Sequence, residues 1–498
     1  MLFNSFEFIF YFLPIAFIGY FLLNRVGFYK GATLFLTCMS LFFYGYNKIE
    51  YLWIILCSIA LNYGLHRVLL KEDDTHSKRR KNILIWGIVA NVGMLYYFKY
   101  FNFTVEILNS LTGMNIDIAQ IVLPLGISFF TFQQIGFVVD SYKREIQKQD
   151  LFSYALFVTF FPQLIAGPIV SHDEMLPQFE DRENRKIRLE NVMLGIRAFI
   201  CGLSKKVLIA DTIGRAVNWG YEYYYVLDGF NVAFVIVLYS LQLYFDFSGY
   251  CDMARGLGYM FNIKIPLNFD SPYKSKNVVE FWKRWHMTLG RFFTRYVYIP
   301  LGGNRKGFLR GLYNVFIVFC ISGIWHGAGW TFVIWGLLHA FAQVLTRLWW
   351  KGKEKLGLPQ VKNRVVKCFL NGVSVLLCFL FVAFAFGIFR AENLGQAMGM
   401  IRRLSVLSEF HAPLEIASFL CFEEVNYLLK IVGVEIAPLI QMGITLGIVC
   451  FITWRCQNMY ETETKYQASW FSIIMLGILF VWCILSMSNV STFLYFNF

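Results

Sequence analysis

The sequence predicts an all-α, polytopic transmembrane protein of about 11 to 13 membrane segments, some of them re-entrant, and three observations carry that prediction. Of its 498 residues 57% are hydrophobic and 19% aromatic, while only 15% are charged. Apolar runs recur from Phe6 to the end of the chain, each near the roughly 20 residues that a hydrocarbon core requires. A soluble chain of this length would instead divide into several domains with polar surfaces. The third observation is the placement of charge. The formal net charge of +13 sits in short loops between the apolar runs, which is the positive-inside pattern and not a nucleic-acid footprint. The bilayer is the expected partner, and nucleic acid is excluded.

The first element, MLFNSFEFIFYFLPIAFIGYFLLNR, lacks a basic n-region and a small-residue cleavage site, so it reads as a transmembrane helix and not a removed signal peptide. Further apolar segments follow at about 31–47, 51–70, 82–98, 118–139, 151–171, 191–211, 229–247, 312–326, 330–348, 367–389, 434–454 and 469–488. The loops Lys71–Lys81, Tyr142–Gln149 and Lys351–Lys367 are rich in Lys and Arg and are placed in the cytoplasm, with the N-terminus outside. Residues 151–171 carry Pro162, Gly167 and Pro168 in one apolar run. Such a segment is expected to be broken or re-entrant, because freed backbone groups must be satisfied by protein or a water-filled cavity. No tandem repeat is evident, so residues 1–498 are read as one integral-membrane domain. The eleven cysteines are mostly scattered singly through apolar runs without a CxxC and read as small buried hydrophobes, not as disulfides or a zinc site. No HxxxH, HExxH or Asp/Glu/His cluster suggests a metal.

The longest polar stretch between membrane segments runs from Ser248 to Gly311, with Lys and Arg close to Trp, Phe and Tyr. Two readings stand: an amphipathic segment lying on the membrane surface with aromatic anchors, or a partly buried cytoplasmic segment lining a site for an anion. It is followed by SGIWHGAGW, Ser322 to Trp330, inside a run from Leu312 to Thr346 without Asp, Glu, Lys or Arg. As one straight helix that run would reach roughly 50 Å against a core of roughly 30 Å, so it must break. Gly327 and Gly329 are the natural place. His326 then sits at a helix end beside a turn. An ionisable residue there is a functional candidate by default, set against a histidine that only glues neighbouring helices; Trp325 and Trp330 fit both.

A second histidine, His286, lies in EFWKRWHMTLG after Lys283 and Arg284; neighbouring cations favour the neutral form that a base requires, while an interfacial histidine exposed to water is the bland alternative. His339 reads as packing. In YFDFSGYCDMARGLG, Asp246 and Asp252 end an apolar run, with Ser248-Gly249 expected to interrupt the helix. Asp246 is read as orienting a histidine, pairing with Arg, or capping the helix. Ser248 lacks a GxSxG elbow and is a weak nucleophile candidate.

Together LYFDFSGYCDMARGLGYMF, FWKRWHMTL, YVYIPLGGNRKG and ISGIWHGAGWTFVIWGLLHA resemble the membrane-bound O-acyltransferase family in its bacterial branch of exopolysaccharide O-acetylation proteins. MLFNSFEFIFYFLPI, GISFFTFQQIGFVVDSYK and FFPQLIAGPI are similar to that branch too. The likeness runs to about residue 348, its signature motifs fall within 240–348, and no motif matches beyond Lys351. Cys251 stands where serine is common and Lys283 where arginine is frequent; neither exchange touches a histidine, though acceptor choice is open to change. The resemblance implies a helical fold around a central tunnel, in a bacterial cytoplasmic membrane, with His326 as catalytic histidine near its narrowest point and His286 as the second signature histidine.

The implied chemistry is O-acyl transfer from a cytoplasmic thioester, acetyl-CoA as a substrate and not a bound cofactor. His326 would be general base, and His286 would orient the donor or stabilise charge on its carbonyl oxygen. Asp246, Ser248 and Trp325 support them. Arg305 and Lys306, on charge and side alone, are the candidates for the CoA phosphates. The resemblance also implies an extracytoplasmic acetyltransferase partner and a polysaccharide acceptor. Two rivals remain open: D-alanyl transfer from a carrier-protein thioester toward teichoic acid, and a polysaccharide transporter, for which the inverted repeats that transporters often carry are not evident.

Overall fold

The computed structural model describes residues 1–72, 77–119, 121–357, 362–406, 411–421, 437–463, 469–488 and 493–494. Every regular element among the described residues is helical. Among the described residues eight helices are long and apolar enough to cross a bilayer: Glu7–Arg25, Tyr51–Lys71, Lys78–Thr112, Gly229–Met260, Phe308–His326, Trp330–Lys355, Arg364–Arg390 and Ala437–Trp454. The segments expected at 31–47, 118–139 and 469–488 form the shorter helices Tyr29–Gly45, Ile127–Tyr142 and Trp470–Leu485. Four cysteines, Cys251, Cys378, Cys421 and Cys483, are buried as expected. Cys38, Cys57, Cys368 and Cys450 are instead exposed on apolar helices, where a thiol is apolar enough to face lipid.

The chain forms two compact units, each discontinuous in sequence. The first comprises Met1–Leu203, Tyr250–Leu267 and Phe471–Phe498. Its core holds clustered phenylalanines, Phe3, Phe8, Phe12, Phe43 and Phe161. Polar side chains bridge its helices because a backbone or amide group in lipid has no water to turn to. Asn62 and Asn91 exchange amide hydrogen bonds of 3.1 and 2.7 Å. Buried Arg80 donates to the carbonyls of Leu69, Glu72 and Tyr142. The broken segment is as expected. The helix Leu151–Thr159 stops before Phe160, and a four-residue turn with Pro162 follows. The carbonyl of Phe157 then accepts from two side chains, Gln133 at 2.7 Å and Gln163 at 2.8 Å, while the Phe161 N–H goes to Ser40 Oγ at 3.2 Å.

The second unit comprises Ser204–Gly249 and Asn268–Trp470. One expectation fails, and of the two readings of the polar stretch the partly buried one holds. Ser248-Gly249 does not interrupt the helix, which runs unbroken for 32 residues from Gly229 to Met260. An unbroken ladder satisfies every backbone group in an apolar setting, and that outweighs the poor helix propensity of Ser and Gly. Nor does the polar stretch lie on a surface as an amphipathic ribbon. Val278–Arg284 and Met287–Phe293 are short helices whose Phe281, Leu289 and Phe293 are buried, as is Trp285 between them. Phe308–His326 and Trp330–Lys355 form a helical hairpin with their backbones in contact. A Cβ on Gly323 would come within 2.9 Å of Gly336 Cα, and one on Gly336 within 2.8 Å of Gly323 Cα. Small residues at a crossing allow this approach.

Candidate active site

His326 ends its helix where the sequence says it should. Gly327 and Gly329 are both extended, at φ −164° and −173°, so left-handed freedom is not what requires a glycine there. At Gly327 the reason is space, since a Cβ would run into the Phe332 ring. His326 is 4% exposed. Its Nδ1 donates to the carbonyl of Ser322 at 2.6 Å, one turn back. A neutral ring with its proton on Nδ1 carries its lone pair on Nε2, the atom a general base uses.

His286 joins the two short helices in the left-handed region, φ 46° and ψ 50°. For a non-glycine residue this costs about 1–2 kcal/mol, so surrounding bonds must hold it. Asn268 supplies them. Its carbonyl accepts from Met287 N at 3.0 Å. Its Oδ1 accepts from Thr288 N at 3.2 Å, Thr288 Oγ at 2.9 Å and His286 Nδ1 at 3.2 Å. The backbone donor identifies this atom as oxygen, so His286, like His326, has its proton on Nδ1 and its lone pair on Nε2. Burial holds His286 well below its ordinary range, and His326 adds to the effect. Lys283 and Arg284, the causes expected from sequence, are turned elsewhere. Arg284 pairs with Asp270 at 3.5 Å and Glu280 at 3.2 Å, and Lys283 lines a cavity.

The two imidazoles lie with ring centroids 6.5 Å apart and planes at 82°. Aromatic rings enclose them. Trp325 is 4.9 Å from His326 and 6.3 Å from His286, Trp335 and Phe389 stand 4.8 and 5.7 Å from His326, and Phe247 stands 4.9 Å from His286. Such a lining keeps out the water that would stabilise an imidazolium, which is why burial is the main cause of the lowered His286 value.

The other sequence candidates separate. Trp325 belongs to the enclosure. Asp246 neither orients a histidine Nδ1 nor caps a helix; it binds Lys206 at 2.7 Å, and Lys206 also binds Asp211 at 2.8 Å. Ser248 is buried, and its hydroxyl has no hydrogen-bond partner among the described residues, so it lacks the base a nucleophile would require. Arg305 and Lys306 are exposed in the turn before Phe308 and line no part of the cavity beside the site. His339 packs as expected: fully buried, it accepts from Trp282 Nε1 at 3.1 Å. Asn268 and Lys206 were missed. Each acts on a residue far away in sequence, and neither belongs to a periodic pattern.

The held-neutral His286 sets a pH dependence. Its unfolded-state value is 6.5, so below that pH the unfolded chain binds a proton the folded chain refuses. Stability is therefore full above about pH 6.5 and lost as pH falls. Asn268→Asp places a carboxylate on His286 Nδ1, favours the imidazolium in the folded state and shrinks this acid loss. Asn268→Ala instead removes three accepted bonds and costs about 3 kcal/mol at neutral pH. Melting temperatures in detergent at pH 7.5 and 5.5 check both. Equal acid loss in the native chain and Asn268→Asp would show that His286 is not the titrating group.

Comparison with known proteins follows the same lines. A family model described as MBOAT, membrane-bound O-acyltransferase family, matches residues 108–389. The peptidoglycan O-acetyltransferase of Helicobacter pylori is 38% identical over the whole of this chain and 98% of its own length. The probable alginate O-acetylase AlgI of Pseudomonas putida is 32% identical over the full length of both. A teichoic acid D-alanyltransferase of Bacillus subtilis is 28% identical over 54% of this chain and 69% of its own. The likeness thus extends past residue 348 through the C-terminal third, where the sequence offered no motif.

Proposed function

The chain belongs to the membrane-bound O-acyltransferase family, and on that premise we propose that it transfers an acetyl group from cytoplasmic acetyl-CoA, across the membrane in which it is embedded, for O-acetylation of a cell-envelope or secreted polysaccharide. The observation that carries the reading is the buried imidazole pair with both Nδ1 protons tied to the protein. His326 Nε2 takes the proton of an acceptor hydroxyl as its oxygen attacks the thioester carbonyl. A C–O bond forms, the C–S bond breaks, and the imidazolium returns the proton to the departing thiolate.

His286 has spent its N–H on Asn268 and carries a lone pair at Nε2, so it cannot stabilise an oxyanion while neutral. Its role is to orient the donor, by accepting from an amide N–H of the pantetheine arm. Trp335 is the better oxyanion donor. Its Nε1–H is buried beside His326 without a hydrogen-bond partner among the described residues, and a fixed donor in a dry site is well placed to stabilise developing charge. The immediate acceptor is a hydroxyl of an extracytoplasmic acetyltransferase, which passes the group to the polysaccharide.

Acetyl is favoured over D-alanyl because the relatives named for acetyl transfer match over the whole chain, whereas the D-alanyltransferase matches about half. Mild alkali releases ester-linked groups from envelope and secreted polymer. Cells carrying the chain should release more acetate than cells lacking it, with D-alanine unchanged. A difference in D-alanine alone would replace the acetyl donor by the carrier-bound one.

A further inference from the structure

A cavity of about 350 Å³ lies beside the histidine pair, within the second unit. Buried Ser322, whose carbonyl holds His326 Nδ1, lines it together with the half-buried rings of Trp282 and Phe319. One wall is the π-helical turn Thr294–Tyr298, a wide turn of a kind frequent at functional sites. The exposed end is cationic. Lys283 and Arg347 both line it, and among the described residues neither has a carboxylate partner. Arg347 is held in place: it donates to the carbonyl of Gln343 at 3.1 Å and to Gln343 Oε1, and Gln343 Nε2 donates to the carbonyl of Val278 at 3.1 Å.

A site with two uncompensated cations at its mouth, an aromatic middle and a base behind its inner wall fits a particular shape of ligand: an anionic head, an uncharged arm and a reactive end. We propose that this cavity is the acyl-donor site and that Arg347, assisted by Lys283, binds the phosphate of a phosphopantetheine thioester whose arm runs past Trp282 and Phe319 toward His326. The proposal rests on the acyl-transfer reading above and moves donor recognition from Arg305 and Lys306 to two residues far apart in the sequence. Arg347 is the specificity-determining residue, because a planar guanidinium fixed by Gln343 presents its remaining N–H groups to phosphate without losing further side-chain freedom. Free CoA and a carrier protein offer the same phosphopantetheine chemistry.

The test uses the full chain in lipid nanodiscs. Thiol release is measured with acetyl-CoA, an acetylated carrier protein and acetyl-pantetheine, which lacks phosphate; CoA binding is measured by equilibrium dialysis. Arg347→Gln should raise KM for acetyl-CoA and weaken CoA binding by about ten- to a hundredfold, with a much smaller change in KM for acetyl-pantetheine. Arg347→Lys should recover part of the loss, which a folding defect would not. An equal rise in KM for both thioesters, or none for either, overturns the assignment. If the native chain turns over acetyl-CoA and Arg347→Gln matches it, the cavity assignment falls and the acetyl-CoA reading survives. If only the carrier-bound thioester is used and Arg347 governs it, the cavity stands and acetyl-CoA is replaced as the source. If CoA binds in an Arg347-dependent way without any turnover, the cavity again stands and the acetyl-transfer reading falls.

Discussion

His326→Gln lowers acyl transfer by about 10²- to 10⁴-fold, the usual contribution of a positioned general base, at an unchanged yield of folded protein. Glutamine is the informative replacement. Its side-chain amide retains a donor for the Ser322 carbonyl and much of the ring's volume, yet has no nitrogen that accepts a proton near neutral pH. Alanine would also withdraw a ring that touches Trp325, Trp335 and Phe389, and the void would add a stability loss of about 2–4 kcal/mol. KM for the donor should change little, because a base acts on the acceptor's proton in the transition state and contributes little to ground-state binding. Thiol release per folded molecule, counted by size-exclusion chromatography in detergent, gives the ratio. Native turnover in a monodisperse His326→Gln preparation would make His326 a packing residue and leave the reaction without a base.

Much of this arrangement was legible in the sequence. That the run from Leu312 to Thr346 breaks follows from its length, and Gly327 and Gly329 place the break after His326. The broken segment after Leu151 is legible for a related reason, since prolines in an apolar run advertise freed carbonyls. What the sequence could not convey was direction. Asn268 holds His286 from eighteen positions away, out of a loop with no periodicity. Asp246 finds Lys206, forty positions earlier, where the sequence suggests a histidine, an arginine or a helix cap. The cations at Arg305 and Lys306 stand in a conspicuous run, but conspicuous charge is charge already facing water. Lys283 and Arg347 lie far apart in the sequence, and only the fold brings them to one cavity. Ser248-Gly249 stays helical because the low propensity of Ser and Gly is a property of helices in water, where breaking a helix costs far less than in an apolar setting.

Gly336→Leu should remove both activity and stable folded protein. The two helices that carry the turn at His326 cross with backbone against backbone: a Cβ on Gly336 would lie 2.8 Å from both Gly323 Cα and the Phe319 carbonyl oxygen. Neither obstacle is a side-chain end that can swing aside, so the helices must separate. Even the single methyl of Gly336→Ala overfills the crossing, at about 1–3 kcal/mol, and a leucine costs more. Gly372 in Arg364–Arg390 is the control, because nothing lies within 4 Å of its Cβ position and Gly372→Leu should be silent. Thermal midpoints in detergent and thiol release, measured together, separate the effects. Trp335 precedes Gly336 and packs on His326, so the first few tenths of an ångström of separation disturb the base before they unfold the helix pair. Gly336→Ala should accordingly lose a larger share of turnover than of thermal stability. If Gly336→Leu is as silent as Gly372→Leu, the close crossing is not what positions His326.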